Sequence, residues 1–229
     1  MTNPEAKARQ KERMRVYHKE YYQRPEVKKH KREYMREYQP QYMQHLRKQF
    51  FEMYGGSCMC CGEKDVRFLT LDHVNGNGAV HRRRLSQIGV LREALSNLNT
   101  EEYQILCYNC NLGKAINDGV CPHHKDSAST NPSIIHSHSK GTRQRRNLRT
   151  RLFKVYGSVC ACCGESEERF LTLDHKLNDG NHAREESKQI KIMREAISEA
   201  DPRKYQVLCF NCNCARSQHN GVCPHHDVK

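Results

Sequence analysis

The 229-residue sequence has no tryptophan and few residues that could fill a large apolar core. Only 36% of its residues are hydrophobic, 7% are aromatic, and the mean hydropathy is −0.94. It has no run of about 18 apolar residues, which excludes a predicted membrane span. Its N-terminus is polar over the first residues and basic after them, which is unlike a secretory signal. We therefore predict small domains in an intracellular protein rather than one large core.

Cysteine and histidine are abundant, with 13 and 14 copies respectively. Small domains bury little surface and commonly depend on metals or disulfides for stability. In a reducing compartment, cysteines in C-x-x-C pairs are more typical of thiolate metal ligands than of disulfides. We therefore expect zinc, rather than disulfides, to hold the domains together.

Positive charge is concentrated in two segments. The chain carries a net charge of +13. Residues 1–50 hold 14 Lys or Arg and 6 Asp or Glu, a net +8, and residues 125–151 hold 7 and 1, a net +6. Segments of this kind neutralise phosphates and release counterions, which predicts a nucleic-acid partner.

The chain contains an internal duplication. Residues 47–124 align with residues 149–226 at a constant offset of 102, without insertion or deletion. The motif F-L-T-L-D-H occurs at 68–73 and again at 170–175, and both copies end in G-V-C-P-H-H. Such a repeat indicates two domains of the same fold.

The domain organisation follows from this duplication and from composition. Residues 125–140 are rich in Ser, Thr, Asn and Pro without hydrophobic periodicity, which is typical of a linker. We predict a basic, tyrosine-rich helical arm over 1–46, a first zinc module over 47–124, a flexible basic linker over 125–146 and a second zinc module over 147–229.

Each module is predicted to mix strands and helices, so the expected fold class is α+β. Alternation over 67–71 predicts a strand, and N-G-N-G at 75–78 predicts a turn, so we expect a hairpin there. Leucine and isoleucine at helical spacing over 85–98, and again over 190–197, predict a helix before the second C-x-x-C pair. We expect this helix to serve packing.

The arm is helical by composition. Pro25 and Pro40 are predicted to break it into about three pieces. Its tyrosines recur four residues apart and should therefore stack on one face; they are Tyr17, Tyr21, Tyr34, Tyr38 and Tyr42. A solvated charged helix is the simpler interpretation, but tyrosines among Lys and Arg favour contact with a DNA backbone.

Two C-x-x-C pairs per module supply four thiolates, which suits a closed tetrahedral zinc site. The predicted structural-zinc ligands are Cys58, Cys61, Cys107 and Cys110 in the first module and Cys160, Cys163, Cys209 and Cys212 in the second. A further set, Cys60 and Cys121 with His123 or His124, is either a second zinc site or a packing element. Cys214 has Leu112 as its counterpart and is interpreted as an incidental thiol.

An Asp-His pair ends each predicted strand, and an Asn follows the last zinc cysteine. These residues are Asp72, His73 and Asn111, and then Asp174, His175 and Asn213. If zinc joins the two C-x-x-C pairs, the Asn returns to the Asp-His strand. A carboxylate and an amide oxygen suit Mg²⁺ or Mn²⁺, and a neutral imidazole could take a proton from water.

In the order of its motifs, the chain resembles the HNH, or His-Me finger (ββα-metal), endonucleases, and especially the phage recombination endonuclease VII type. These motifs are C-x-x-C, then L-x-L-D-H, then L-C-x-x-C-N-x-x-[K/R]. The resemblance covers about residues 50–124 and 152–226. It implies tandem ββα-metal modules in which His73 and His175 are general bases. It also implies that Asp72, Asn111, Asp174 and Asn213 hold the catalytic ion, and that the eight cysteines bind zinc.

Two departures from the family pattern distinguish the modules. The Asn that many HNH sequences carry five residues before the third zinc cysteine is Glu102 in the first module and Lys204 in the second. His81 is a further candidate catalytic residue, but its counterpart is Ala183. If His81 helps to hold the scissile phosphate, the second module is slower or inactive. Lys114 and Arg216 are either phosphate contacts or part of a solvated helix face.

The expected function is therefore metal-dependent hydrolysis of duplex or branched DNA, of the homing or junction-resolving kind, by two active sites in one chain. The duplication would let a monomer do the work of a dimer. A non-catalytic zinc-finger protein that binds DNA is the main alternative. A redox or metal-storage protein would explain the cysteines but neither the basic arm nor the repeated Asp-His.

Overall fold

The computed structural model describes residues 4–117, 119–124, 140–177, 186–219 and 221–226. The fold is α+β, mostly helical with two small antiparallel sheets. The chain divides into two compact units, Met1–Gln49 and Phe50–Lys229. Within the described ranges, no helix has the length and apolar character needed to cross a bilayer.

The first unit holds α1 (Pro4–Tyr21) and most of α2 (Pro25–Met53). The predicted tyrosine stacks are confirmed, since Tyr34, Tyr38 and Tyr42 stack with ring centroids 5.1 and 5.6 Å apart. The predicted break at Pro40 is wrong, because α2 runs through it. A proline removes one backbone donor from the helix ladder, and this helix keeps its bonds on either side.

The second unit contains both repeats. Its further elements are α3 (Gly78–Arg84), α4 (Gln87–Ser96), α5 (Tyr108–Ile116), α6 (Lys140–Tyr156), α7 (Glu186–Glu199) and α8 (Phe210–Gln218), with strands β1 (Leu69–His73), β2 (Tyr103–Cys107), β3 (Leu171–His175) and β4 (Tyr205–Cys209). Short 3₁₀ turns cover Pro122–His124, Glu168–Phe170 and Pro224–His226. Of the predicted linker, residues 125–139 lie outside the described residues, and residues 140–146 belong to α6.

Each repeat contains one two-stranded antiparallel sheet. β1 pairs with β2, so that Leu69 faces Cys107 and His73 faces Tyr103, and β3 pairs with β4 in the same register. The hairpin predicted around 75–78 is wrong, because the turn there leads into α3 and the partner strand comes about 30 residues later. The sheet therefore joins the D-H motif directly to the second C-x-x-C pair.

The helix predicted over 85–98 in the first repeat corresponds to α4, which covers Gln87–Ser96. The short helix α3, which ends at Arg84 just before this span, was not predicted. The Ser86 side chain accepts a hydrogen bond from the Gly89 amide at 3.2 Å, an N-cap that starts a new helix. In the second repeat the predicted helix corresponds to α7, whose bounds include Ile190 and Ile197.

The two repeats exchange aromatic rings. Phe68 of the first repeat lies in the buried core of the second, among Leu152, Leu171 and Val207. Phe170 of the second repeat lies so close to Gly113 that a Cβ there would be 2.5 Å from its ring. Each repeat therefore completes the core of the other, as the subunits of a two-fold dimer do.

The first turns of α5 and α8 are joined by a reciprocal pair of hydrogen bonds. The Asn109 amide donates to Asn211 Oδ1, and the Asn211 amide donates to Asn109 Oδ1, both at 2.8 Å. Amides in the first turn of a helix have no partner within that helix. Each asparagine therefore satisfies a buried donor of the other repeat.

This reciprocal contact is testable through stability. Asn109→Ala leaves the buried Asn211 amide without its acceptor, so we expect the free energy of unfolding to fall by about 1–3 kcal/mol. Urea denaturation of the zinc-saturated chain, followed by circular dichroism, measures the loss. The mirror variant Asn211→Ala should lose a similar amount. Two variants as stable as the parent chain would contradict the described contact.

Candidate metal centres and active site

The eight predicted zinc cysteines assemble into two groups of four. Cys58, Cys61, Cys107 and Cys110 form one group, and Cys160, Cys163, Cys209 and Cys212 form the other. A tight turn closed by the Gly62 amide on Cys58 O presents the first pair, and the β2–α5 junction presents the second. The predicted grouping is therefore confirmed in both repeats.

The spacing of these sulfurs matches zinc coordination. Cys61 and Cys107 have their Sγ atoms 3.7 Å apart, and so do Cys163 and Cys209. Sulfurs about 2.3 Å from a tetrahedral zinc ion lie about 3.8 Å from one another. A disulfide would need about 2.05 Å. Both groups could hold zinc.

A second Cys/His group lies beside each of the first two. It comprises Cys60, Cys110, Cys121 and His123 in one repeat, and Cys162, Cys212, Cys223 and His225 in the other. The sequence left open whether Cys60, Cys121 and His123 belong to a second zinc site or to a packing element. The structure brings the three residues together. The participation of Cys110 and Cys212 in both groups was not predicted.

The Asp72 carboxylate is buried and already has two partners. Its Oδ2 accepts hydrogen bonds from Lys114 Nζ and Gln104 Nε2, both at 2.7 Å. Lys114 also donates to the backbone oxygens of His73 and Val74 at 3.1 Å. The interpretation of Lys114 as part of a solvated face is therefore wrong, because its side chain is only 13% exposed.

The second repeat preserves this arrangement with arginine in place of lysine. Asp174 Oδ2 accepts from Gln206 Nε2 at 2.7 Å and also pairs with the Arg216 guanidinium. Burial raises the pKa of Asp174, and the bonds from Gln206 and Arg216 oppose that rise. Each D-H motif thus has its carboxylate beside a fixed cation.

His73 lies on the opposite face of β1 from Asp72, because successive strand residues point to opposite faces. Its Nε2 is 2.9 Å from His81 Nδ1, and the ring packs so tightly on Gly78 that a Cβ there would be 2.8 Å from Nδ1. Burial, followed by the neighbouring His81, lowers the pKa of His73. This shift favours the neutral imidazole, the form that a proton acceptor requires.

His81 links His73 to an acidic side chain. His81 Nε2 lies 3.3 Å from Glu93 Oε1, and Tyr103 donates its hydroxyl proton to the same oxygen at 2.9 Å. His81, Glu93 and Glu102 together form a further group that could hold an ion. In the second repeat, His175 lies at the end of β3 beside Tyr205, and Ala183 lies outside the described residues.

In the first repeat, both predicted ion ligands have hydrogen-bond partners within the protein. Asn111 Nδ2 donates to Leu71 O at 3.4 Å, whereas Asp72 bonds to Lys114 and Gln104. Asn213 occupies the matching position in α8 and is partly buried. In the first repeat the structure therefore brings Asn111 to the strand that bears Asp72 and His73, and joins it to the backbone of that strand.

Several residues of the site were missed by the sequence interpretation. Gln104 and Gln206 bond to the carboxylates, and Glu93 and Tyr103 complete the histidine network. The sequence offered one signal for Gln104, its recurrence as Gln206 at the same offset, whereas its place opposite Asp72 is set by the β1–β2 register, which was not predicted. Glu93 offered a weaker signal, since only the fold brings it to His81.

The comparisons with known proteins give no match to a protein-family model, to a curated protein or to a solved structure.

Proposed function

We propose that this chain is a metal-dependent endonuclease that hydrolyses DNA with two active sites, one in each repeat. The observation that carries the proposal is the repeated placement of a histidine at the end of a strand, next in sequence to a buried carboxylate, with an asparagine-bearing helix against the same strand. Two strands followed by a helix, β1, β2 and α5, support our assignment of each repeat as a ββα-metal module.

In this proposal, zinc bound by the four-cysteine groups is structural. Such a closed set of four ligands leaves no position for substrate. It instead fixes the β2–α5 junction against the turn that carries Cys58 and Cys61, which holds Asn111 near the strand. Zinc would therefore act on catalysis through position alone.

The proton transfer is assigned to His73 and His175. A neutral imidazole can accept a proton from the attacking water, and the contact of His73 Nε2 with His81 would orient the ring and share the positive charge. Asp72 and Asn111 would hold a Mg²⁺ or Mn²⁺ ion, which supplies stabilisation of charge at the scissile phosphate. Asp174 and Asn213 would do the same in the second repeat.

DNA binding is assigned to the basic segments. The first unit presents exposed tyrosines, including Tyr17, Tyr34 and Tyr38, on helices that carry Lys and Arg over the remaining surface. Basic side chains contact phosphates irrespective of sequence. The arm would therefore increase affinity for DNA without choosing the site of cleavage.

A second candidate function, non-catalytic DNA binding, is favoured by the cations at the carboxylates. Lys114 and a divalent ion carry charge of the same sign and would compete for Asp72 Oδ2. Arg216 poses the same obstacle at Asp174. If the cations stay in place, the D-H motif is a structural ion pair and the chain only binds.

A nicking assay separates the two functions. Zinc-loaded protein is incubated with supercoiled plasmid, with and without added Mg²⁺ or Mn²⁺, and the same mixtures are tested for DNA retardation on a native gel. The endonuclease produces nicked and then linear DNA only with the added ion. Retarded but intact plasmid under every condition would support the binding protein instead. Branched DNA, single-stranded DNA and RNA in parallel identify the substrate class.

A further inference from the structure

The two Cys/His groups in each repeat share one sulfur. Cys110 belongs both to the four-cysteine group and to the group formed with Cys60, Cys121 and His123. Cys212 has the same double membership in the second repeat. Two four-ligand sites with a common member are the donor set of a two-ion cluster with a bridging thiolate.

The distances within the second group match zinc. His123 Nδ1 lies 3.6, 3.4 and 3.5 Å from the sulfurs of Cys60, Cys110 and Cys121. A tetrahedral zinc ion with sulfurs at about 2.3 Å and a nitrogen at about 2.0 Å separates these atoms by about 3.5 Å. One imidazole nitrogen equidistant from three sulfurs is the arrangement of a Cys₃His site.

The second repeat has the same group with one difference. His225 Nδ1 lies 3.3 and 3.4 Å from the sulfurs of Cys212 and Cys223, and 3.9 Å from that of Cys162, which also lies 3.3 Å from His226 Nε2. Ordinary thiol hydrogen bonds do not account for this pattern, because a single imidazole nitrogen has one position for a proton or a lone pair. A shared ion accounts for three sulfurs around one nitrogen.

The charges are also suited to a second ion. A thiolate sulfur has more than one lone pair and can therefore bind two zinc ions. One zinc ion with four thiolates has a net charge of −2. A second zinc ion brings two positive charges, and its two further thiolates bring two negative charges, while the imidazole is neutral, so the net charge of the cluster stays −2. The second site therefore fills without adding net charge to a half-buried cluster.

We propose that each repeat holds two zinc ions bridged by a single sulfur, that of Cys110 or Cys212, so that the chain binds four zinc ions. The second ion fixes the Cys-Pro-His-His ending of each repeat to its C-x-x-C turn. This inference does not depend on the proposed nuclease activity, because it concerns zinc content alone.

The second ion also acts across the contact between the repeats. The His123 ring packs on Phe170 with ring centroids 4.8 Å apart, and the His225 ring packs on Phe68 at 4.7 Å. Each imidazole thus connects the bridged cluster of its own repeat to the phenylalanine that the other repeat contributes. Loss of the second ion is expected to loosen this contact.

Native mass spectrometry of the full chain counts the bound ions. The parent chain is expected to carry four zinc ions. Cys60→Ser with Cys162→Ser removes a ligand from each second site without touching the four-cysteine groups, and should reduce the count to two. Cys214→Ser is the matched control, because Cys214 belongs to none of the groups found among the described residues, and it should retain four. A parent chain that saturates at two zinc ions would overturn the proposal.

The bridging sulfur has its own test on the unmutated chain. After replacement of zinc by a spin-active cadmium isotope, the two cadmium nuclei of each cluster should show scalar coupling to each other through the shared sulfur. Four cadmium resonances without mutual coupling would mean separate sites and would exclude Cys110 and Cys212 as bridges. Because no variant is needed, a failure to fold cannot obscure this result.

Discussion

Replacing His73 and His175 together with Ala is expected to reduce DNA cleavage by at least about 100-fold while DNA binding and zinc content persist. A positioned general base typically contributes about 10²–10⁴-fold to the rate, and both proposed bases are removed. Neither histidine belongs to the groups of described residues that could hold a metal ion. Rates of plasmid nicking at saturating Mg²⁺, with gel retardation and zinc analysis of the same samples, measure the three quantities.

Two controls make this result interpretable. His73 is buried, so His73→Gln with His175→Gln should give the same inactivity while keeping a polar side chain in place. His219→Ala, a histidine outside the metal-binding groups, should cleave as the parent does. Single variants then report each repeat, since one active site should leave nicked circles rather than linear product. Cleavage by the double variant at the parent rate would refute the assignment.

Removal of zinc is expected to unfold the second unit. Structural zinc contributes about 10–16 kcal/mol of apparent binding free energy in small zinc peptides at neutral pH, far more than the stability that a small core supplies alone. All four cysteine-containing groups lie within Phe50–Lys229. We therefore expect a chelator to abolish the cooperative thermal transition of this unit, measured by calorimetry, and added zinc to restore it.

The first unit provides an internal control for that experiment. The cysteine groups include no residue of Met1–Gln49, so the helical circular dichroism that this unit contributes should not depend on the chelator. An unchanged thermal transition in protein shown to be free of zinc would contradict the structural role. A transition that shifts only part of the way would indicate that one group is dispensable.

The features that sequence reasoning predicted are those set by local spacing. A C-x-x-C pair closes a short turn by itself, so the grouping of the eight cysteines followed from their repetition. Tyrosines four residues apart meet on any helix, so the stack of Tyr34, Tyr38 and Tyr42 needed no knowledge of the fold. The strand ending in the D-H motif was predicted for the same reason.

The features that it missed depend on contacts between distant residues or on competing local signals. The N-G-N-G turn at 75–78 indicated a hairpin. In the structure, β1 pairs instead with β2, which leads into the buried cysteines. The short helix α3 was missed, because the N-G-N-G signal at 75–78 indicated only a turn. The pairing of Lys114 with Asp72 joins residues 42 positions apart, and no local pattern reports such a contact.

The exchange of Phe68 and Phe170 has a consequence for how the chain can evolve. One repeat on its own would expose a ring and leave a gap in its core, so the ancestral single-repeat protein would have had to pair with an identical copy. Fusion of two copies removes the requirement that both halves be the same. Gly113 and Ala215 differ beside these rings, and His81 and Ala183 differ elsewhere in the sequence, so one half can specialise while its twin keeps it folded.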